Sequence, residues 1–342
     1  MAAEDGLWNT CCMAAFLLRR LLYLVLLVIV STSVAYVLAA TQLNPRSRYE
    51  GRNPPPPPEV VDAVLDAINM NNKTPLIDRF GRWTAGLVRG DLGRTIDNTP
   101  VSEEIGRRMW VSLRLLIFGA LFGTALGVAA GAYSAVKQHR PVDHATTVFS
   151  FVILSTPIVV LAVIYKNLGI ALNDALGFTG STKLLYTTGE ITPGLEFWSW
   201  EGLVDRAAHL ALPSFVLITS AVAFYGRYQR NAMLDVLGSD FLRTAQAKGL
   251  RRSRALVKHG LRTALIPMAT FFAYQFALLF VGATFTERIF GWHGMGEYFV
   301  DSVTKNDVNS VAAVTLFVAV LVLIAGFLSD LAYAILDPRV RT

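Results

Sequence analysis

Between Arg227 and Arg262 the chain carries nine Lys/Arg against two acids, Asp235 and Asp240, in the run RYQRNAMLDVLGSDFLRTAQAKGLRRSRALVKHGLR. The chemistry open to so many cations is electrostatic: they hold a segment at one membrane face and offer donors to an acidic partner. Asp240 is expected to cap a short helix bearing Phe241, Leu242, Ala245 and Ala247, which Gly249 then stops. RRSRALVKHGLR predicts a second, basic helix that runs on toward Pro267. On charge alone the stretch reads as a solvated loop. A short helix, a glycine, a basic helix and a proline in fixed order ask for a further explanation.

Other familiar chemistry is missing from the sequence. No GxxxxGK[ST] phosphate loop occurs, and Gly177-Phe-Thr-Gly180-Ser-Thr-Lys183 fails its spacing. HExxH, GxSxG and paired intramembrane carboxylates are likewise absent, which argues against a protease, so no catalytic residue is assigned. Cys11 and Cys12 are neighbours. Two thiols do not complete a tetrahedral site and adjacent cysteines close only a strained bridge. No metal site is therefore assigned, and reduced thiols near the inner surface are expected.

The elements that position the basic stretch follow from composition. At 53% hydrophobic and 16% charged residues, with a mean hydropathy of +0.45, the chain is too apolar for an ordinary soluble domain, whose charged share is nearer ~25%. The net charge of +6 sits beside apolar runs, so orientation in a bilayer explains it and no nucleic-acid partner is expected. Six spans are predicted, at residues 21–40, 111–136, 145–165, 210–226, 263–286 and 308–329. Twenty residues rise ~30 Å as a helix, the thickness of a hydrocarbon core.

The connecting segments divide by charge. Those placed inside (1–20, 137–144, 227–262 and the 330–342 tail) hold 15 Lys/Arg, whereas the short loops 175–209 and 287–310 hold Lys183, Arg206, Arg288 and Lys305. Both termini are accordingly expected in the cytoplasm, with 41–110, 166–209 and 287–307 outside. The 41–110 loop contains five successive prolines, Pro54 to Pro58, expected to act as a stiff extended spacer. After them Val60, Val61, Val64, Leu65 and Ile68 predict a small amphipathic helix that rests on the membrane, on its own chain or on a partner.

Within the spans, Gly119, Gly123, Gly127 and Gly131 recur every four residues, a stripe that lets another helix approach closely and predicts burial in a bundle. Ser155-Thr156-Pro157 predicts a kink in span three. Mid-membrane carboxylates suited to proton or sodium coupling are lacking. The energy for active transport must then come from a partner, unless the solute runs downhill through a channel or facilitator.

The basic stretch resembles the cytoplasmic coupling segment of binding-protein-dependent ABC importer permeases, specifically the dipeptide/oligopeptide/nickel permease family. Its pattern ARYxRxxMLxVLxxDYxRTAxAKGL, then HALxxALIP, is met by Arg227, Tyr228, Arg230, Met233, Leu234, Val236, Leu237, Asp240, Arg243, Thr244, Ala245, Ala247, Lys248, Gly249, His259, Leu265, Ile266 and Pro267. Phe241 stands for the usual Tyr and Gly260 for the usual Ala. Gly90-Asp91-Leu92-Gly93 is similar to the family's GDLG, Ser155-Thr156-Pro157 to its SxP, and Thr286 to Gly296 to its vExxFxxPGLG, with His293 for the Pro. Asp330, Tyr333, Asp337, Pro338 and Arg339 are similar to its terminal DxxY…DPR.

The resemblance implies an all-α permease in the cell membrane of a prokaryote, itself no enzyme. Its implied partners are a second homologous permease, two ABC ATPase subunits or domains that bind ATP and Mg, and an external solute-binding protein. The solute is a peptide or, within the same family, a nickel complex or another small molecule. The coupling helix is then Asp240, Phe241, Leu242, Arg243, Thr244, Ala245, Ala247, Lys248 and Gly249, with Phe241, Leu242 and Ala245 as anchors in an ATPase groove. Ser155, Pro157, Tyr274 and Gln275 are candidates for the solute pathway, with hydrogen bonding between helices equally open for Tyr274 and Gln275.

Overall fold

A computed structural model describes residues 2–50, 53–178, 183–196 and 198–336, with side chains from Leu18 onward except Arg20. The chain runs α1 (Ala2–Gln42), α2 (Ser47–Glu50), α3 (Pro58–Ala67), α4 (Leu76–Val88), α5 (Val101–Val136), α6 (Pro141–Ser155), α7 (Ile158–Ala175), α8 (Trp200–Leu237), α9 (Asp240–Ala247), α10 (Arg252–Ala255), a π-helical turn (Leu256–Gly260), α11 (Leu261–Phe290), α12 (Met295–Thr304) and α13 (Val308–Leu336). Among the described residues there is no strand, only an isolated bridge between Arg94 and Pro100. Six stretches of the described residues are long and apolar enough to cross a membrane: Leu21–Glu50, Val101–Val136, Ile158–Ala175, Trp200–Leu237, Arg252–Phe290 and Val308–Leu336. The Cys11 and Cys12 side chains and Asp337, Pro338 and Arg339 lie outside what is described.

Two compact units divide the fold. One comprises Leu22–Leu113 with His293–Leu323; the other comprises Met1–Leu21, Arg114–Trp292 and Ile324–Thr342. In the first, the extended backbone of Pro57 (φ −56°, ψ 138°) delivers Pro58 as the first residue of α3, a position where proline's missing N–H costs nothing. Val61, Leu65 and Ile68 then enter a core with Tyr36, Met70, Trp83, Val308 and Ala312, and Tyr36 stacks on Trp83 at 4.7 Å. The amphipathic helix therefore packs on its own chain, leaving Val60 and Val64 exposed.

Span three departs from expectation. Rather than one kinked helix over 145–165, α6 ends at Ser155, Thr156 turns extended (φ −93°, ψ 123°), and α7 restarts after Pro157. The cause is local: a residue before proline is pushed out of the α region, and proline has no N–H with which to continue the ladder. The stretch able to span is consequently 158–175, so the first ten residues of the expected 166–209 loop are helical. Other helices overrun their apolar cores. α5 begins at Val101, where Glu104 pairs with Arg107 and Arg108 at i+3 and i+4. α8 extends from Trp200 to Leu237, placing Pro213 in its interior and carrying Arg227 and Arg230 on helix.

Candidate functional site

α9 is built as a short helix with a hard stop. Ser239, not Asp240, occupies the N-cap; Asp240 is the first helical residue, its side chain 96% exposed, where a negative charge favours the helix dipole. At the other end Gly249 N–H donates to the Gln246 carbonyl and Leu250 N–H to the Ala245 carbonyl, the paired bonds of a Schellman stop. Gly249 has φ +89°, and nothing lies within 4 Å of where its Cβ would be. Glycine is required there by backbone conformation alone. Gly249→Ala, with space but the wrong φ, is expected to cost about 1 kcal/mol and to fray α9, read as faster amide exchange at Gln246 to Leu250.

The two faces of α9 differ. Leu242 is 1% exposed and joins Ala135, Met233, Val236, Ala255, Leu256 and Ala264 in a core that Ala245 and Leu250 also touch. Leu242 and Ala245 are therefore corrected from anchors in a partner to the contacts that seat α9 on its own chain. The outward face carries Phe241, 44% exposed, with Arg243, Thr244, Ala247 and Lys248. A half-exposed aromatic flanked by cations suits a groove with an apolar floor and acidic rims. Beyond Gly249, Arg262 donates from Nε and Nη2 to the Leu336 and Ile335 carbonyls at 3.1 Å, filling orphan acceptors at the end of α13. The basic stretch is thus held by one core and by the end of α13.

Behind α9 lies a constellation that sequence reasoning missed. Asp143, in the first turn of α6, accepts Arg230 Nε at 2.5 Å and Nη2 at 2.9 Å. It also accepts the Ser134 hydroxyl at 2.6 Å and the His139 N–H at 2.9 Å. Its side chain is 3% exposed. The Arg230 bonds outweigh the opposing effect of burial and, with Ser134 and His139, hold this carboxyl well below the usual carboxylate range. One side chain so joins α5, α6 and α8. Its signal was available: Asp143 is the lone acid in the basic turn after span two, and Arg230 is a motif residue that needs a partner.

The glycine stripe of α5 meets α8 in register. A Cβ on Gly119 would fall 2.9 Å from Leu217 Cβ, on Gly123 2.4 Å from Ala221 Cβ, on Gly127 2.8 Å from Tyr225 Cβ, and on Gly131 2.3 Å from the Gly226 carbonyl oxygen. From Gly119 to Gly127 and from Leu217 to Tyr225 both sets rise by fours, so the helices run parallel along this seam. Beside the stripe Phe118, Phe122 and Leu126 are exposed, as is Leu121 on the far side of α5.

Among the described residues no hydrogen bond joins the pathway candidates to one another. Ser155 and Pro157 flank the α6–α7 break and are exposed. Tyr274 is 60% exposed, whereas the adjacent Gln275 is buried at 6% and its Oε1 has no partner among the described residues. Asp330 and Tyr333 line a cleft with Thr270 and Ser329, and the Ser329 hydroxyl donates to the Ala269 carbonyl.

Residues 123–342 match the model for the binding-protein-dependent transport system inner membrane component. The chain belongs to that family. The oligopeptide transport system permease protein OppB of Mycobacterium tuberculosis is 48% identical over 329 residues, covering 96% of this chain and 99% of the relative. AppB, an oligopeptide transport system permease protein of Bacillus subtilis, is 31% identical over 348 residues (96% and 100%). The dipeptide transport system permease protein DppB of Escherichia coli is 33% identical over 279 residues (78% and 81%). With six apolar helices, this permease resides in the cell membrane.

Proposed function

We propose that this permease is the membrane subunit of an ATP-driven peptide importer, working with a second, homologous permease, two ATPase subunits or domains and an external binding protein. The observation that carries the reading is the 48% identity to an oligopeptide permease over nearly the whole of both chains. The same relationship favours a peptide over a nickel complex, and an ATPase-coupled route over a free-standing channel. ATP and Mg belong to the ATPase partners. Both termini and the 227–262 stretch face the cytoplasm, while 41–110 and 287–307 face outward.

In this arrangement α9 is the coupling helix. Phe241 enters the ATPase groove, Arg243 and Lys248 meet its rims, and Leu242 with Ala245 transmits the push to the core beneath. Closure of the ATPase pair then shifts α8 and α11, whose ends share that core, and the cavity between the two permeases switches side. Phe241→Asp puts a charge where an apolar contact forms. The full complex bearing it is expected to import labelled tripeptide at least ~10-fold more slowly, as the loss of a hot-spot contact of about 2 kcal/mol implies, while the chain still inserts. Undiminished uptake would count against the coupling role; uptake that survives ATP depletion would overturn the importer reading itself.

A further inference from the structure

A cavity of about 490 Å³ opens between α5, α6 and α8, within the unit that holds Arg114–Trp292. Its lining is mostly apolar, with Phe149 and Val222 among the walls, and Thr147, Ser150, Arg227 and Asn231 bring polar groups to it. The Arg227 guanidinium lies over the Phe151 ring, 4.6 Å from its centre, and has no hydrogen bond or ion pair among the described residues. Ser150 is 6% exposed. Its hydroxyl lacks even the common bond to the carbonyl four residues earlier, yet it is open to the cavity, unlike the sealed amide of Gln229. The acid nearby is already committed: Asp143 is 3% exposed and accepts Arg230, Ser134 and His139. The cavity therefore offers donors and one uncompensated positive charge, and no carboxylate to receive an ammonium.

Depth and surroundings narrow the ligand. No charged residue occurs on α8 from Leu210 through Gly226, so Arg227 stands where the apolar stretch ends, at the level of a lipid phosphate. On α6, Val148, Phe149, Phe151 and Val152 are exposed around the cavity, a surface suited to acyl chains. Inorganic phosphate would satisfy Arg227 and leave the apolar walls bare. A zwitterionic headgroup would bring an ammonium toward Arg227 with no free acid to hold it. A glycerophospholipid of net negative charge answers both the cation and the walls, with Ser150, Thr147 and Asn231 as donors to its phosphate or ester oxygens.

We infer that this cavity binds an anionic glycerophospholipid of the inner leaflet, its phosphate on Arg227 and its acyl chains along α6. The choice of leaflet rests on the cytoplasmic placement of 227–262 proposed above. The test uses the permease–ATPase complex in phosphatidylcholine nanodiscs carrying equal trace amounts of phosphatidylglycerol or phosphatidylcholine with a photoactivatable acyl chain. Peptide mapping after irradiation is expected to find phosphatidylglycerol on residues 145–151 and 222–231 at least ~5-fold more often than phosphatidylcholine, the preference that one arginine near the membrane surface confers. Arg227→Gln should abolish that preference and Arg227→Lys should keep most of it. Arg254→Gln, which removes an exposed charge from α10, should leave it unchanged. Equal labelling by the two lipids in the wild-type complex would overturn the site whether or not any variant assembles. A preference that survives Arg227→Gln, or that falls as far in Arg254→Gln, would do the same. So would displacement of the lipid by trialanine, which assigns the cavity to the solute, or the absence of any lipid adduct there, which leaves it to the second permease. Orientation is read separately. With Cys11→Ser and Cys12→Ser in place, Gln138→Cys should react with a membrane-impermeant maleimide in inside-out vesicles only; reaction from the outside would defeat the orientation and leave the lipid contrast to be judged by itself.

Discussion

Asp143→Ala is expected to destabilise the permease by about 3 kcal/mol, the lower end of the range for removing one partner of a buried ion pair. The lower end applies because Arg230 is 23% exposed and can regain some water. What remains is a guanidinium held against the helix ends with no carboxylate, and a Ser134 hydroxyl that has lost its acceptor. Because Arg230 leads toward α9, the loss should appear as a lower melting temperature in detergent together with reduced peptide uptake. Asp143→Ala combined with Arg230→Met should recover much of the stability, since two apolar groups leave no uncompensated charge. A double variant no better than the single would show that the pair is not the source of the effect. The pH dependence has a fixed sign. The Asp143 carboxyl titrates lower folded than unfolded, so its contribution is complete above the ordinary carboxylate range of about 4 and is lost as pH falls below it. The gap between wild type and Asp143→Ala should be constant from pH 6 to 8 and narrow only in acid.

The parts of this fold legible in sequence are those fixed by one strong local requirement. Apolar length gave the number of spans, though not the bounds of the third, and a glycine after a short amphipathic run set the end of α9, where φ +89° admits little else. The glycine period announced a close helix contact, though not its partner, because nothing in GxxxG specifies Leu217, Ala221 and Tyr225 on the facing helix. What stayed hidden depends on which way a helix rolls. Phe241 and Leu242 are both apolar and adjacent, but 100° of helical rotation puts one outside and the other in the core. Tyr274 and Gln275 separate for the same reason. Asp143 and Arg230 are 87 positions apart, and only the packing of α6 on α8 brings them together. The α6–α7 break was half visible, since proline disfavours a helical residue before it but does not always break a helix, as Pro213 inside α8 shows.

Gly131→Ala is expected to be the most disruptive single methyl that α5 can receive. The added Cβ would sit 2.3 Å from a backbone oxygen, that of Gly226, and 2.9 Å from Gln229 Cβ. A flexible side chain moves aside cheaply; a carbonyl inside α8 moves only with the helix. Separating the helices by the required ångström or more forfeits contact along the whole seam through Gly127, Gly123 and Gly119. Overpacking typically costs about 1–3 kcal/mol, and this site should fall at the top of that range or above it. Gly106→Ala on the same helix is the internal control: no atom lies within 4 Å of its Cβ position, so alanine's better helix propensity should make it neutral or stabilising by about 0.5–1 kcal/mol. Thermal stability of the two purified variants in one detergent decides the matter. If Gly131→Ala melts with wild type, then α5 and α8 are farther apart than this seam requires. The seam would then be too loose to carry a displacement of α8 into α5, and the route by which motion at α9 reaches the pathway would have to run through α11 alone.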